Sequence, residues 1–366
     1  MNQRRHWPGG WKRTESDSLN GSARLYRYKE SVSRHQKRVT LEEVARVAGV
    51  SRATVSRVVN GVTSVDENIR QTVERAISST GYLPNLAARS LVTRRADAIA
   101  LVLPSESRIV GDPFFTRIVR GVSTVLRPLG VHLVLMMTGA DTGDQVVADL
   151  RQGRLDGVIL VHTYQADPLP TLLLQSRQPV VLSARPAEPI PITYVDVNQT
   201  AGGALAAEHL VARGCTRVAT ITGSLDRPPG HDRLAGFRDA MAELGQPDVV
   251  SVEGNFTRES GAAAMEQLIA EYPDVDGVFI ASDLMAEGAL PVLRKHGRRV
   301  PDDMAVVGFD DSSAALSCDP PLTTVRQPVE DMAAEMARQL LRQIDRVDTP
   351  IRSVIFEPIL VVRQSA

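Results

Sequence analysis

The chain has 366 residues, more than one small hydrophobic core organises, and this length predicts two or three domains. Apolar residues (43%) and charged residues (23%) stand in the proportions of a folded globular protein, which argues against a disordered chain. No apolar run approaches the length of a membrane span, and the first ten residues are polar and basic, so no secretion signal is indicated. We therefore expect a cytoplasmic protein.

The charge is unevenly distributed along the chain. Residues 1–95 carry 18 Lys and Arg against 8 Asp and Glu, whereas the remaining residues carry 24 against 35. A basic front and an acidic remainder are typical of a protein whose first part meets nucleic-acid phosphates. On charge alone, a basic tail without a partner is the alternative.

Residues 1–38 are rich in Arg, Lys, Ser and Gly and lack apolar periodicity, so we predict that they are disordered. Two interpretations stay open. The segment adds non-specific affinity for phosphates, or the chain begins upstream of the native start site.

A helical pattern begins at residue 39. Thr40 and Glu43 form a T-x-x-E capping box ahead of apolar residues at helical spacing, which predicts a short first helix. Gly49 provides the backbone freedom of a tight turn, and Ser51 is placed to cap a second helix with a valine stripe.

A third helix is predicted to open between Ser64 and Glu67 and to end at Gly81. Its inner stripe contains Ile69, Val73 and Ile77. Three such helices close a minimal core, and we predict a helix-turn-helix domain over residues 39–83.

The second helix of a helix-turn-helix fits the major groove, where its amino-terminal side chains face base edges. The residues of this helix predicted to contact DNA are Ser51, Arg52, Ala53, Thr54, Ser56, Arg57 and Asn60. Arg57 is the strongest candidate base reader, ahead of Arg52, because a guanidinium fork matches O6 and N7 of guanine. For each arginine the alternative is a phosphate contact or a solvated position. Ser51 and Thr54 are expected to donate to phosphates.

Beyond residue 97, short β-branched runs alternate with amphipathic helices. The runs are residues 99–103, 131–135, 158–161, 217–221, 249–252, 278–280 and 305–307. This rhythm predicts parallel strands joined by helical crossovers, arranged in two similar α/β halves.

The segment from residue 39 to 91 resembles the amino-terminal domain of the lactose-repressor and purine-repressor family (the LacI family), and the similarity extends to Arg363. TGYLPNLAARSL (80–91) is similar to the family's hinge. The resemblance implies that residues 84–96 form a hinge helix and linker on operator DNA, where paired hinges enter the minor groove. Leu91 would be the wedge, Ala88 would lie against the groove and Asn85 would contact the DNA backbone. Ordinary packing is the alternative for Leu91.

The rest of the chain, residues 97–366, resembles the family's effector-binding and dimerisation domain. The stretches that carry the resemblance include DPFFTRIVRGV (112–122), HDRLAGFRDAM (231–241) and VPDDMAVVGFDDSSAA (300–315). The implied fold is an all-α helix-turn-helix domain plus an α/β periplasmic-binding-protein-like domain of two parallel-sheet lobes.

We expect lobe 1 to comprise about residues 97–194 and 322–352, and lobe 2 about residues 195–321 and 353–364. The chain would then cross between the lobes near Tyr194, Leu322 and Ser353.

An effector cleft is expected outside the carboxyl ends of the parallel strands. The predicted effector-binding residues are Asp112, Phe114, Phe115, Ser183, Arg233, Ser282, Asp283 and Asp310. Arg233 is the first choice, because it matches a family position that reaches a ligand through its fork. Alternatives are a simple turn role for Asp310 and a core role for Phe114 or Phe115. Ser183 stands where many family members carry an aspartate, which weakens the assignment of a sugar.

The expected function is a DNA-binding regulator, a repressor whose partners are operator DNA, a small-molecule effector and a second copy of the chain. A carbohydrate is the favoured effector, and a nucleobase or another metabolite acting as co-repressor is the alternative. By resemblance, residues 115–126 and the segment after Pro104 are candidates for the dimer face. Without carboxy-terminal leucine heptads, a dimer is preferred to a tetramer.

Three other protein classes fit the sequence less well. A solute receptor of the same fold needs an export signal and has no helix-turn-helix. An enzyme is disfavoured because the chain has no G-x-S-x-G, P-loop, GxGxxG or histidine-based motif. Cys215 and Cys318 lack metal-ligand spacing, so we expect no metal and no cofactor. A ligand-independent architectural DNA binder stays open.

Overall fold

The computed structural model describes residues 39–62, 64–82, 95–103, 111–137, 142–161, 164, 167–345 and 350–366. It also gives the backbone of two short strands, β1 (Trp11–Lys12) and β2 (Arg27–Tyr28), which pair antiparallel. The rest of the segment predicted to be disordered lies outside the described residues. The chain forms two compact units, residues 1–85 and 86–366.

Three helices form the first unit: α1 (Leu41–Ala48), α2 (Arg52–Val59) and α3 (Glu67–Thr80). Thr40 and Glu43 make the predicted capping box, because the Thr40 hydroxyl accepts from the Glu43 N–H and the Glu43 carboxylate accepts from the Thr40 N–H. Gly49 adopts a left-handed conformation (φ 66°) in the turn, and Ser51 caps α2 by accepting from the Thr54 N–H. The predicted first two helices are confirmed.

A small core closes this unit. Its most deeply buried members are Val44, Val55 and Val73, one from each helix, with no exposed surface. Asp66, within the predicted start of α3, caps this helix, and Ile69, predicted to face inward, is 39% exposed. Ile69 lies in the first turn of α3 and does not belong to the apolar core that the described residues of this unit form.

The second unit alternates strands and helices. In chain order these are β3 (Ala98–Leu103), α4 (Pro113–Leu126), β4 (His132–Met137), α5 (Thr142–Arg151), β5 (Gly157–Val161), α6 (Pro168–Gln175), β6 (Val180–Ser183), β7 (Thr193–Val197), α7 (Gln199–Ala212), β8 (Val218–Thr222), α8 (Pro228–Glu243), β9 (Val250–Glu253), α9 (Arg258–Glu271), β10 (Gly277–Ile280), α10 (Asp283–Lys295), β11 (Ala305–Asp310), α11 (Ser313–Ser317), β12 (Thr323–Arg326), α12 (Val329–Asp345), β13 (Ser353–Phe356) and β14 (Ile359–Val361).

These strands build two six-stranded sheets, one in each lobe. The lobe 1 sheet has the order β13-β7-β6-β5-β3-β4, with every pair parallel. The lobe 2 sheet has the order β14-β12-β11-β10-β8-β9 and is parallel except for β14, which runs antiparallel to β12. The predicted fold of two parallel-sheet lobes is confirmed.

The crossings between the lobes differ from the predicted ones. The chain leaves lobe 1 after β7, at Asn198, returns after β12, at Gln327, and leaves again after β13, at Glu357. The predicted crossings near Tyr194, Leu322 and Ser353 are therefore wrong by about four residues each. The three errors have the same physical cause. Each of these strands stays paired within the sheet of one lobe up to its carboxyl end, and the chain crosses only after that.

None of the helices among the described residues is both long enough and apolar enough to cross a membrane.

Helices α7 and α8 of lobe 2 pack directly against each other. Gly203 and Gly236 allow this contact. A Cβ atom on Gly203 would overlap the carbonyl of Arg233, and one on Gly236 would overlap the carbonyl of Thr200. The absence of side chains at these positions therefore fixes where Arg233 lies relative to the start of α7.

We predict that Gly203→Ala lowers the free energy of unfolding by about 1–3 kcal/mol, because the added methyl must separate the two helices. Urea denaturation measures this change. Gly143→Ala in α5 is the matched control, since its Cβ would lie 3.7 Å from the nearest atom, Leu169 Cδ1, in ordinary contact. Equal unfolding midpoints for the two variants would contradict the prediction.

Candidate functional site

Both lobes line one cavity, here called the interlobe cavity, at the carboxyl ends of the two sheets. Its empty space is about 680 Å³, part of which is open to solvent. Helices α4, α8 and α10 begin beside it, with Asp112, Arg227 and Ser282 as their capping residues. Strand-end side chains and helix N-terminal N–H groups therefore converge there, as is usual for ligand sites in open α/β sheets.

Six of the eight predicted effector-binding residues line this cavity: Asp112, Phe114, Ser183, Arg233, Ser282 and Asp310. Three of them come from lobe 1 and three from lobe 2. The fold thus brings together residues that are up to 198 positions apart in the sequence. Their role in ligand binding stays a prediction.

Phe115 does not line the interlobe cavity and corrects the prediction. It is 5% exposed and belongs to the apolar core beneath α4. Adjacent positions on a helix point in directions about 100° apart, so Phe114 faces the cavity while Phe115 faces the sheet. The two rings meet edge to face with centroids 5.6 Å apart.

Asp283 does not line the cavity either. Its side chain is fully buried, where Oδ2 accepts from the Ser312 N–H (2.7 Å) and Oδ1 accepts from the Thr324 hydroxyl (2.6 Å). Burial raises the pKa of Asp283 well above its ordinary value, and the nearby Asp310 adds to this effect. Asp283 therefore joins α10 to the loop after β11 and to the beginning of β12, and it is not placed to contact a ligand.

A continuous polar network crosses the base of the interlobe cavity. Asp196 Oδ1 accepts from the Gln199 amide (2.8 Å), and Gln199 Oε1 accepts from Arg233 Nε (2.8 Å). Arg233 Nη1 lies 3.7 Å from Asp310 Oδ1, which in turn accepts from the Gln327 amide. The network begins in lobe 1, at the end of β7, and reaches lobe 2 and the second crossing.

Arg233 is the centre of this network and is 4% exposed. Its Nη1 also donates to the Ala281 carbonyl, and its guanidinium carbon lies 3.5 Å from the centroid of the Phe309 ring. Burial lowers the pKa of Arg233, while the charge of Asp310 works in the opposite direction. A fork held on several sides is preorganised to present its remaining N–H groups in one direction.

Asp310 has an unusual backbone, with φ at 112°. Side chains other than glycine rarely adopt this conformation, and such positions concentrate at ligand sites where the surrounding structure enforces them. Burial raises the pKa of Asp310, opposed by Arg233 and by the hydrogen bond from Gln327. A turn role and a cavity-facing role are therefore combined in one residue.

Sequence reasoning missed several residues that line the cavity. They are Ala184, Asp196, Gln199, Arg227, Pro229, Phe256, Leu284, Gln327 and Met332. Gln199 and Gln327 directly follow crossing strands, so correctly placed crossings would have pointed to them. Phe256 has a left-handed backbone (φ 67°) and lies shortly after β9. Its place after the end of a strand would by itself have made it a candidate cavity residue.

In the first unit, α2 presents a polar outer face. Arg52, Ala53 and Arg57 are exposed, Ser56 is half-buried, and Val55 and Val58 pack inward. This is the arrangement that a helix needs to enter a groove with its amino-terminal half. Thr54 and Asn60 are half-buried, and the Asn60 amide donates to the Ser56 hydroxyl.

The two candidate base-reading arginines differ in their surroundings. Arg52 Nε lies 2.7 Å from Glu42 Oε1 on α1, so a base contact would replace an existing ion pair. Within the described part of the chain, the Arg57 guanidinium has no ion-pair or hydrogen-bond partner. The predicted hinge residues Asn85, Ala88 and Leu91 lie outside the described residues.

Comparison with known families and proteins gives consistent matches over most of the chain. A family model described as bacterial regulatory proteins, lacI family, matches residues 40–85, and one described as a periplasmic binding protein-like domain matches residues 207–366. The HTH-type transcriptional regulator CelR of Thermobifida fusca is 43% identical over 337 residues, which cover 90% of this chain and 99% of that protein.

Solved structures match as well. A CelR–cellobiose complex has a TM-score of 0.71 at 41% identity and covers 90% of this chain and all of the other. A lac repressor dimer bound to operator and the anti-inducer ONPF has a TM-score of 0.78 at 28% identity and covers 90% and 99%. The predicted resemblance and fold are confirmed.

Asp112 provides a test of the electrostatics of the cavity. Burial raises its pKa to about 7, with a further contribution from Asp310, against the hydrogen bond from the Phe114 N–H. Because the unfolded chain loses this proton near pH 4, the folded state binds the extra proton between about pH 4 and pH 7. The contribution of Asp112 to the free energy of unfolding is therefore highest in acid, and this contribution is lost as the pH rises from about 4 through about 7.

We predict that the free energy of unfolding of Asp112→Asn, relative to that of the wild type, increases by at least about 1 kcal/mol when the pH is raised from 4.5 to 7.5. Asparagine keeps the helix cap and removes the buried charge. Thermal denaturation of both proteins across this range measures the difference. A constant difference would show that Asp112 ionises normally in the folded protein.

Proposed function

The chain belongs to the LacI family of bacterial regulatory proteins, and we propose that it is a repressor whose operator binding is controlled by a carbohydrate in the interlobe cavity. The proposal assigns no catalytic reaction to it, in keeping with relatives that are transcriptional regulators. Operator recognition is assigned to α2, assisted by the hinge residues Asn85, Ala88 and Leu91. A homodimer fits the two-fold symmetry that operators of helix-turn-helix proteins commonly have.

The observation that carries the carbohydrate assignment is the polar network beside apolar faces. The network consists of planar carboxylate, amide and guanidinium groups held in fixed positions. Such groups suit the adjacent hydroxyls of a sugar, because each hydroxyl both donates and accepts hydrogen bonds. Phe114 and Phe256 line the same cavity and offer rings against which the C–H face of a sugar packs. Ser183 replaces a possible carboxylate acceptor, but Asp196 supplies one from the next strand, β7.

The charge of the cavity favours a neutral ligand. Its lining contains the carboxylates Asp112, Asp196 and Asp310 and the cations Arg227 and Arg233. With the pKa of Asp112 near 7, these groups nearly balance at neutral pH. An anionic ligand would therefore find no excess positive charge, whereas a neutral polyol satisfies both donors and acceptors.

The dimer face is proposed from the exposed part of α4. The inner side of α4 is covered by α12 of the same chain, where Arg117 forms a bidentate ion pair with Glu330. This leaves Thr116 and Arg120 on the outer side of α4. The segment after Pro104, also a candidate for this face, lies outside the described residues.

We predict that Arg57→Ala relaxes the preference for guanine at one position of each operator half-site by about 1–3 kcal/mol, as expected for loss of a bidentate base contact. Selection from randomised duplexes, followed by anisotropy titrations, measures this preference. Arg75→Ala in α3 removes an equal charge from an exposed helix position and should leave base preference unchanged. A uniform loss of affinity over all sequences would make Arg57 a phosphate contact.

We predict that Arg233→Lys weakens binding of cellobiose at least about tenfold, because an ammonium cannot replace the guanidinium fork. Operator affinity without ligand should stay within about twofold, since α2 lies in the other unit. Calorimetry with cellobiose and a sugar panel, together with operator titrations, measures both quantities. Arg238→Lys, on an exposed position of the same helix, is the control.

Two outcomes would contradict the assignment. If no sugar of the panel binds the wild type and a nucleobase does, the effector class is wrong. If Arg233→Lys binds cellobiose as the wild type does, the site is elsewhere.

A further inference from the structure

One ion pair joins the two lobes directly without lining the interlobe cavity. Arg185 lies in lobe 1, in the loop after β6, and Asp232 lies in lobe 2, in the first turns of α8. Arg185 Nε and Nη2 each donate to one carboxylate oxygen of Asp232 at 2.6 Å. Neither residue is among those that line the cavity, although their chain neighbours Ala184 and Arg233 are.

Both ends of this pair are tied to the polar network. The backbone N–H of Arg185 donates to Asp196 Oδ2 (2.9 Å), whose other oxygen accepts from Gln199 at the first crossing. Asp232 immediately precedes Arg233 on α8, and Arg233 contacts Gln199 and Asp310. A movement that separates the loop after β6 from α8 must therefore break the pair.

The pair is strong for its position. Its geometry is bidentate, and the side chains are 38% (Arg185) and 17% (Asp232) exposed, so water screens it only in part. Burial alone would raise the pKa of Asp232, but the hydrogen bonds from Arg185 and His231 outweigh it and the pKa is lowered. The carboxylate is thus held in its charged form.

A second contact between the lobes lies beside the second crossing. Arg117 of α4 donates to the Asp310 carbonyl (3.0 Å) and to the Gln327 carbonyl (3.3 Å). Arg117 is also paired with Glu330 in its own lobe. This contact involves the second crossing itself, whereas the contact of Arg185 with Asp232 joins the loop after β6 to α8.

We propose that the Arg185–Asp232 pair is a latch that stabilises the closed arrangement of the lobes and so sets the affinity for the effector without contacting it. The inference rests on the proposed effector site. For a ligand that binds only the closed arrangement, the apparent association constant equals the intrinsic constant multiplied by the fraction of molecules that are closed. Loss of the latch therefore weakens binding and leaves the contacts to the ligand intact.

The test measures lobe separation directly in the full chain. Spin labels on Glu188→Cys in lobe 1 and Asp239→Cys in lobe 2 flank the latch at exposed positions, and the native Cys215 and Cys318 are buried. Pulsed electron paramagnetic resonance then gives the distance distribution without ligand. Asp232→Asn and Arg185→Gln should each add a population at longer distance, and the double variant should add no more than either single one.

Arg258→Gln is the matched control, because it breaks an ion pair of the same length (2.6 Å to Glu287) that lies within lobe 2. Its distances should equal those of the parent. Unchanged distances in both Asp232→Asn and Arg185→Gln would overturn the proposal, as would additive effects in the double variant. Near-ultraviolet circular dichroism checks that each variant is folded. If one single variant does not fold, the distances of the other single variant are compared with those of the parent.

Titration with cellobiose separates this inference from the proposed function. Asp232→Asn should bind cellobiose about tenfold more weakly than the wild type, as expected for loss of a charged hydrogen-bond pair. If cellobiose and the other sugars fail to bind the wild type, the carbohydrate assignment fails, while the ligand-free distances still decide the latch. Equal affinities with a changed distance would overturn the link between latch and effector.

Discussion

The guanidinium of Arg233 is a buried positive charge, and the architecture around the cavity depends on how that charge is satisfied. An unpaired buried charge costs several kcal/mol, so every N–H that faces the protein needs an acceptor. Gln199 and Ala281 accept hydrogen bonds from Arg233, Asp310 places an opposite charge 3.7 Å away, and the Phe309 ring supports the guanidinium face. These partners come from the start of α7 and the ends of β10 and β11, so the charge is stable only when three separate elements meet at one point.

The same requirement connects the cavity to the crossings. Gln199 follows the first crossing and Gln327 occupies the second, and their amides join Arg233 and Asp310 to the segments that connect the lobes. Under the proposed function, a ligand hydroxyl that bonds to Asp310 would compete with or reinforce bonds that hold a crossing. Ligand binding and lobe geometry would then share residues, which is the physical condition for coupling between them.

Local signals predicted local structure well. The capping box at Thr40 and the turn at Gly49 were predicted because each depends on residues within one helical turn. The crossings were misplaced because β12 and β13 are short, and their ends are defined by ladders with β11 and β7, formed by residues far away in sequence. Gln199 was missed for a related reason, since a glutamine after a strand has no signal until the strand end is located.

The remaining site errors came from side-chain direction. Phe115 and Asp283 adjoin true lining residues, and the sequence alone did not say which neighbour faces the cavity. Strand-end reasoning finds the neighbourhood of a ligand site, because the carboxyl ends of parallel strands meet at one edge. It does not find direction, which depends on the rotation of each following helix relative to its sheet.

The helix-turn-helix unit has a complete core of its own, in which Val44, Val55 and Val73 are fully buried by one another and by their neighbours. Its caps at Thr40, Ser51 and Asp66 are likewise made within the unit. A ligand in the other unit consequently has no packing defect or missing cap to repair in α2. Under the proposed function, effector control must act on how two intact reading units are presented to one duplex. The spacing between half-site contacts is a geometric condition for tight binding, so this spacing is what an effector would have to change.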